Sequence, residues 1–221
     1  MFAAAFLDRL ALGGPVVWIL LCFSLAALTV TLIKLWQFWQ FRPLSRASAR
    51  QALIHLEKGE RSQALMLVKG QRNPRSHLIA YTLALLDKRT LDLDEIKAEA
   101  RRLARTLINR LNSYLRVLEV IATLAPLLGL FGTVLGMIEA FRAMEAAGSQ
   151  VNPAVLSGGI WKALLTTAVG LAVAIPVSLA HSWFERRVEV QATDMQDDLE
   201  RIFTLDAEAA STHARPSAKQ A

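Results

Sequence analysis

Apolar residues are concentrated in three long stretches of the chain, and polar residues dominate between them. The stretches cover residues 15–41, 117–139 and 158–184. Each is long enough to cross the hydrocarbon core of a bilayer, for which an α-helix needs about 20 residues. The first ends in aromatic residues and Arg42 rather than in a small-residue cleavage site, which favours a retained span over a signal peptide. The pattern therefore predicts an all-α membrane protein with three transmembrane helices.

The distribution of lysine and arginine predicts the orientation of these spans. Residues 42–116 contain 16 Lys/Arg and 7 Asp/Glu, whereas residues 139–156 contain one arginine and two glutamates. Basic residues near the ends of spans mark the cytoplasmic side. We therefore expect residues 1–14 and the loop at 140–157 to lie outside, and residues 42–116 and the tail at 185–221 to lie in the cytoplasm.

The polar region between the first two spans has the composition of helices. Its first helical run is interrupted by Gly59, and Asn73-Pro74 is typical of a turn. Acidic residues just after Leu91 favour a helix N-terminus, and neither proline nor glycine follows before Thr123. We therefore expect one uninterrupted helix to run from the cytoplasm into the second span.

A second cytoplasmic helical extension is predicted after the third span, where helix-forming residues continue to about Leu205. Residues 207–221 are small and polar, and we expect them to be disordered. The net charge of +9 in residues 42–116 would also suit anionic lipid or nucleic acid. The cytoplasmic location already accounts for this charge, so we predict no nucleic-acid partner.

Small residues recur every three or four positions along the second and third spans, so they share one face of each helix. Such faces allow membrane helices to approach closely, and hydroxyl groups add hydrogen bonds across the contact. Two prolines on these spans free backbone carbonyls. The faces are compatible with simple helix packing or with an arrangement around a pore or a partner helix. The residues singled out here are Pro126, Gly129, Gly132, Gly136, Gly170, Ala174 and Pro176.

The first span has bulky side chains instead, which predict contact with lipid.

Residues that carry catalytic or metal chemistry are scarce in the chain as a whole. It has one cysteine, Cys22, and four histidines scattered without the spacing of a metal site or a nucleophile–base pair. We therefore predict no enzyme activity, no catalytic residue, no metal site and no organic cofactor.

Two sequence motifs resemble those of a known family. The run APLLGLFGTVLGMI, from Ala125 to Ile138, resembles the second-span motif of the MotA/TolQ/ExbB proton-channel family. The run GGIWKALLTTAVGLAVAIP, from Gly158 to Pro176, resembles the third-span motif of that family. The stretch from the start of the first motif to the end of the second is about a quarter of the chain. The span order and loop lengths fit the ExbB/TolQ branch, with ExbB favoured over TolQ.

The resemblance implies a function and partners. An ExbB-like subunit forms a homo-oligomer, a pentamer, around the spans of an ExbD-like single-span protein in the bacterial cell inner membrane. The assembly uses the protonmotive force, with protons as the coupling ion, to energise a TonB-like protein for outer-membrane transport. The ExbD-like partner supplies the titrating aspartate. A TolQ-like subunit that energises TolA for envelope integrity and a passive membrane scaffold are the alternatives.

The resemblance also implies roles for individual residues. Thr133 and Thr167 match the pore-lining threonines of the family, whose hydroxyls can hydrogen-bond the partner's acid. Lys162 stands where many ExbB and TolQ proteins carry a glutamate. Its ammonium could extend to the membrane interface, or it could pair with the partner's aspartate and lower the pKa of that acid.

Overall fold

The computed structural model describes residues 14–40, 43–71, 73–88, 92–147 and 153–214. In these ranges the chain is helical apart from short connections, which confirms the predicted all-α fold. The described ranges hold seven helices: α1 (Pro15–Gln40), α2 (Pro43–Glu57), α3 (Arg61–Val68), α4 (Pro74–Lys88), α5 (Leu93–Asn112), α6 (Leu115–Ala147) and α7 (Pro153–Ala214).

Three of these helices, α1, α6 and α7, are long and apolar enough to cross a membrane. They coincide with the three apolar stretches of the sequence. Helices α6 and α7 both continue beyond the predicted spans into the intervening loop at 140–157. Pro126 lies within α6 and Pro176 within α7, in positions where each lacks the N–H of a helical hydrogen bond.

The chain divides into two compact units. The membrane unit contains the described residues up to Lys34 together with Tyr114–Phe184. The bundle unit contains Leu35–Ser113 and the described residues from Glu185 onward, so it holds helices α2 to α5 and the C-terminal part of α7.

The membrane unit has a small core where its three helices meet. Val16 and Leu20 of α1 are buried against Ala125 of α6 and Ala174 of α7. The opposite side of α1 carries exposed bulky residues, and Leu25 is 66% exposed. Helices α6 and α7 also present outward leucines. In a single chain, therefore, all three spans offer an apolar face to lipid or to other protein.

The bundle unit has a larger apolar core. One cluster joins residues of α2, α3 and α4 to Ile96 of α5 and Ile202 of α7. A second joins Leu78 of α4 and Leu107 of α5 to Met195 of α7. The C-terminal part of α7 is therefore an integral element of this unit, because both clusters depend on its side chains.

Local signals in the sequence explain where the helices of the bundle unit begin and end. Gly59 has φ +77°, a left-handed conformation that suits glycine, and it separates α2 from α3 as predicted. Asn73 Oδ1 accepts a hydrogen bond of 3.0 Å from Arg75 N, so Asn73-Pro74 caps the start of α4. Asp92 N donates to Glu95 Oε2 at 3.2 Å at the start of α5.

A buried ion pair ties α4 to α7 within the bundle unit. The Arg75 guanidinium binds both carboxylate oxygens of Asp198, and its Nη2 lies 2.7 Å from Asp198 Oδ1. Asp194 accepts a further hydrogen bond of 3.0 Å. Hydrogen bonding to Asp198 raises the pKa of Arg75. Burial raises the pKa of Asp198, although Arg75 opposes that shift.

The prediction of one uninterrupted helix into the second span is wrong. Helix α5 ends at Asn112, Ser113 has extended backbone angles, and α6 starts at Leu115. Between them Tyr114 has φ +66°. Tyrosine carries no turn signal, which explains why the sequence pattern suggested continuity.

We expect Tyr114→Gly to be more stable than Tyr114→Ala by about 1–2 kcal/mol, because a side chain with a Cβ is strained in this conformation. Both variants remove the ring, so their difference reports the backbone alone. Thermal unfolding of the two variants in the same detergent measures it. In a regular helix the order is reversed, and alanine is the more stable. Equal stability, or a more stable alanine variant, would show that the left-handed backbone is absent.

The prediction of disorder from residue 207 is wrong for its first part. Helix α7 continues to Ala214, and residues 215–221 lie outside the described part of the chain. Ser211 Oγ donates a hydrogen bond of 2.8 Å to the carbonyl oxygen of Glu208 in the preceding turn, which places this small polar residue within the helix.

Candidate functional site at the contact of α6 and α7

Helices α6 and α7 are in very close contact within one chain because glycine faces alanine, threonine or glycine across it. A Cβ added to Gly170 would lie 2.7 Å from the carbonyl oxygen of Ala125, and one added to Gly129 would lie 3.0 Å from the carbonyl oxygen of Thr166. At Gly136 it would lie 2.9 Å from the Cβ of Ala163. Gly129, Gly136 and Gly170 therefore allow α6 and α7 to pack closely against each other.

Two neighbouring glycines of α7 differ in their surroundings. A Cβ added to Gly159 would lie 2.5 Å from the Cβ of Ala140, whereas one added to Gly158 would meet nothing within 4 Å. Only the second glycine of the pair is thus required by the contact with α6.

Threonine hydroxyls of α7 reach across this contact to one carbonyl of α6. Thr167 Oγ1 donates a hydrogen bond of 3.1 Å to the carbonyl oxygen of Gly129. Thr166 Oγ1 lies 3.2 Å from the same oxygen and 2.7 Å from the carbonyl oxygen of Ala163 in its own helix. Because Gly129 has no side chain, both hydroxyls can approach its carbonyl.

Thr133, the other predicted pore-lining residue, directs its hydroxyl to its own helix. Its Oγ1 donates to the carbonyl oxygen of Leu130 at 2.6 Å. The hydrogen bonds of Thr133 and Thr167 thus end on the carbonyls of consecutive residues, Leu130 and Gly129. Both threonines are partly buried. Each hydroxyl uses its hydrogen on the backbone and keeps lone pairs that can accept a hydrogen bond.

The remaining residues singled out from the sequence take different positions. Ala174 is buried in the core with Val16 and Leu20 of α1. Pro126 is partly buried, whereas Pro176 is exposed. The structure thus brings the glycines, Thr167 and Ala174 into contacts within the chain and leaves Pro176 outside them.

Lys162 forms an ion pair with Glu139 of the same chain. Its Nζ lies 2.7 Å from Glu139 Oε2, and the two side chains are 36% and 64% exposed. Neither possibility considered for Lys162 from the sequence included Glu139.

Thr166 and Glu139 are the two residues of this region that the sequence interpretation missed. Thr166 is 2% exposed and bonds across the contact, yet only the adjacent Thr167 was singled out. Its spacing of three from Ala163 was an available signal. For Glu139 the available signal was opposite charge at the ends of two helices expected to pack together.

Comparisons with known proteins agree with the two sequence motifs. The MotA/TolQ/ExbB proton channel family matches residues 63–197 of this chain. The biopolymer transport protein exbB1 of Vibrio cholerae is 32% identical over 78% of this chain and 78% of its own length. An ExbB homolog of Methanothermobacter thermautotrophicus is 29% identical over 85% of this chain and 66% of its own length. The Tol-Pal system protein TolQ of Pseudomonas aeruginosa is 36% identical over 45% of each chain.

Three apolar helices and these similarities define a multi-pass membrane protein that energises biopolymer transport. The chain belongs to the MotA/TolQ/ExbB proton channel family, and the sequence prediction of an ExbB-like subunit is confirmed. Similarity to ExbB proteins extends over most of the chain, whereas similarity to TolQ proteins covers less than half.

Proposed function

We propose that this chain is the channel-forming subunit of a proton-driven motor in the bacterial inner membrane. It works as a homo-oligomer, a pentamer, with an ExbD-like single-span partner and energises a TonB-like protein for outer-membrane transport. Protons are the coupling ion, and the chain needs no catalytic residue, metal or organic cofactor of its own. Residues 1–14 and 140–157 are periplasmic in this proposal, and the basic region at 42–116 and the C-terminus are cytoplasmic.

The observation that carries the proposal is a cluster of hydroxyls in two spans whose central parts lack an acid. No aspartate or glutamate occurs in residues 120–138 or 163–184. Thr133, Thr166 and Thr167 nevertheless collect around the carbonyls of Gly129 and Leu130. Proton transfer through these spans therefore requires an acid from another chain, which fits a partner that supplies an aspartate.

The threonine geometry suggests how such an acid would be handled. In the observed rotamers, Thr133 and Thr167 give their hydrogens to carbonyls, so their oxygens can accept the O–H of a neutral carboxylic acid. A rotation about the Cβ–Oγ1 bond would turn the hydroxyl hydrogen towards a carboxylate, at the loss of the bond to the backbone. Two hydroxyl orientations would then serve the two protonation states of the partner's acid.

Replacing Thr133 or Thr167 with valine tests this role. Valine keeps the shape of threonine but removes the hydroxyl, so we expect assembly to persist and energy-dependent uptake to fall at least about tenfold. Uptake is measured in cells that carry the ExbD-like and TonB-like partners, and assembly is measured by size-exclusion chromatography of the purified complex.

Thr29→Val is the matched control. Thr29 is on α1 and also bonds its own helix, with Oγ1 2.8 Å from the carbonyl oxygen of Leu25. We expect this variant to support normal uptake. Normal uptake by both Thr133→Val and Thr167→Val would contradict the pore-lining assignment. A passive scaffold would lose uptake only where assembly is lost.

A TolQ-like role is the second candidate, because TolQ proteins match part of this chain at 34–36% identity. Complementation separates the two roles. We expect the chain to restore TonB-dependent uptake to a strain that lacks ExbB. Restoration of envelope integrity alone, in a strain that lacks TolQ, would assign the chain to the other branch.

A further inference from the structure

The ion pair of Lys162 and Glu139 lies between two close contacts of α6 and α7. On one side of it Gly136 faces Ala163, and on the other side Gly159 faces Ala140. The two residues are 23 positions apart in sequence, so only the packing of the helices joins them. The pair is thus part of the surface that sets how α7 sits against α6.

A third element of the membrane unit reaches the same place. Gly14 precedes α1 and has φ +72°. A Cβ added there would lie 3.7 Å from Lys162 Cε and 3.9 Å from its Nζ. The end of the Lys162 side chain therefore lies beside the start of α1 while its ammonium contacts Glu139.

We propose that Glu139 is the working partner of Lys162, and that this pair is a positioning element that keeps Thr167 of α7 against Gly129 of α6. Lys162 then makes no functional contact with an acid of another chain. The pair itself is a property of the single chain. Only its expected effect on uptake rests on the proposed function.

The helical backbone explains how the pair would act on Thr167. Lys162 and Thr167 are five positions apart on α7, about 7.5 Å along the helix axis. No glycine or proline lies between them, so we expect this segment of the continuous helix to rotate as a rigid body. A rotation of α7 that removed Thr167 from the Gly129 carbonyl would also pull Lys162 from Glu139.

Charge exchange tests the proposal. Lys162→Glu and Glu139→Lys each place two like charges together, and we expect each to lower uptake per assembled complex about 2- to 10-fold. The double variant Lys162→Glu/Glu139→Lys restores opposite charges, and we expect its uptake within about twofold of the unsubstituted chain. Lys162→Arg keeps the charge and should also retain uptake.

The double variant keeps an ion pair within the chain but removes the base from α7, so it separates the two roles of Lys162. If it assembles but is no more active than Lys162→Glu, Lys162 acts on a group outside this chain and the proposal is overturned. The melting temperatures of the unsubstituted chain, the two single charge variants and the double variant, purified without the partner, test the pair independently of uptake. We expect each single variant to melt lower and the double variant to recover.

The two proposals can fail separately. Absence of uptake with the unsubstituted chain, in cells that respond to a known ExbB protein, would contradict the proposed function alone. Recovery of the melting temperature in the double variant would still support the pair. Additive melting shifts with no recovery would contradict it, whatever the uptake.

Discussion

Gly132→Ala is expected to destabilise the membrane unit by about 1–3 kcal/mol through overpacking. The added Cβ would lie 2.5 Å from Thr166 Oγ1 and 2.7 Å from Thr166 Cβ. Threonine is β-branched and has few rotamers, and Thr166 is also held by its hydrogen bonds to Gly129 and Ala163. The side chain cannot move away cheaply, so the two helices must separate.

Gly158→Ala is the matched control, because this helical glycine has open space around its missing Cβ. We expect it to be neutral or more stable by about 0.5–1 kcal/mol, as alanine favours the helix. Thermal unfolding in one detergent compares the two variants. Adding Thr166→Gly to Gly132→Ala should recover part of the loss by removing the clash. Equal stability of the two alanine variants would contradict the observed contact of α6 and α7.

Arg75→Met is expected to destabilise the bundle unit by about 3–5 kcal/mol, because it leaves a buried carboxylate without its cation. The side chain of Asp198 is only 2% exposed, so water cannot replace the guanidinium. Hydrogen exchange of peptides that cover α4 measures the effect locally. We expect these peptides to lose protection, while peptides from α6 serve as the internal reference.

Two further variants show whether the buried charge is responsible. Arg75→Met/Asp198→Leu removes both charges and should be about as stable as the unsubstituted chain, since apolar residues can replace a buried ion pair. Arg102→Met removes a cation that is 70% exposed in its pair with Glu99, and it should leave the stability close to that of the unsubstituted chain. A double variant as unstable as Arg75→Met would contradict this account.

The pH dependence of Arg75→Met has a defined sign. Burial raises the pKa of Asp198 above its ordinary value of 3.8, and the variant lacks the guanidinium that opposes this shift. The folded variant therefore binds a proton more tightly than the unfolded chain does. Proton binding to Asp198 therefore stabilises the folded variant at low pH, and this contribution is lost as the pH rises through the raised pKa. We expect the deficit relative to the unsubstituted chain to shrink as the pH is lowered through the raised pKa of Asp198.

The sequence was sufficient for features that depend on composition and regular spacing. Three apolar stretches predicted three spans, because length and hydropathy alone decide whether a helix can cross a bilayer. The intervals among Gly129, Gly132 and Gly136 predicted a close helix contact, because residues three or four apart share a face of a helix.

Features that depend on the rotation of one helix against another could not be predicted in this way. Thr166 and Thr167 are adjacent and point about 100° apart, so which of them is buried against α6 depends on how α7 packs. The ion pair of Glu139 and Lys162 likewise depends on how α7 packs against α6, so the sequence did not predict it. The break at Tyr114 was missed because a tyrosine in a left-handed conformation carries no signal in local sequence.

The unequal surroundings of Gly158 and Gly159 have an evolutionary consequence. Two identical residues in succession suggest a motif under a single constraint, yet only Gly159 faces Ala140 closely. As far as packing within one chain decides, we expect position 158 to tolerate alanine or serine among descendants of this protein. A larger residue at position 159 requires a change at position 140, so we expect the two halves of one dipeptide to accumulate substitutions at different rates.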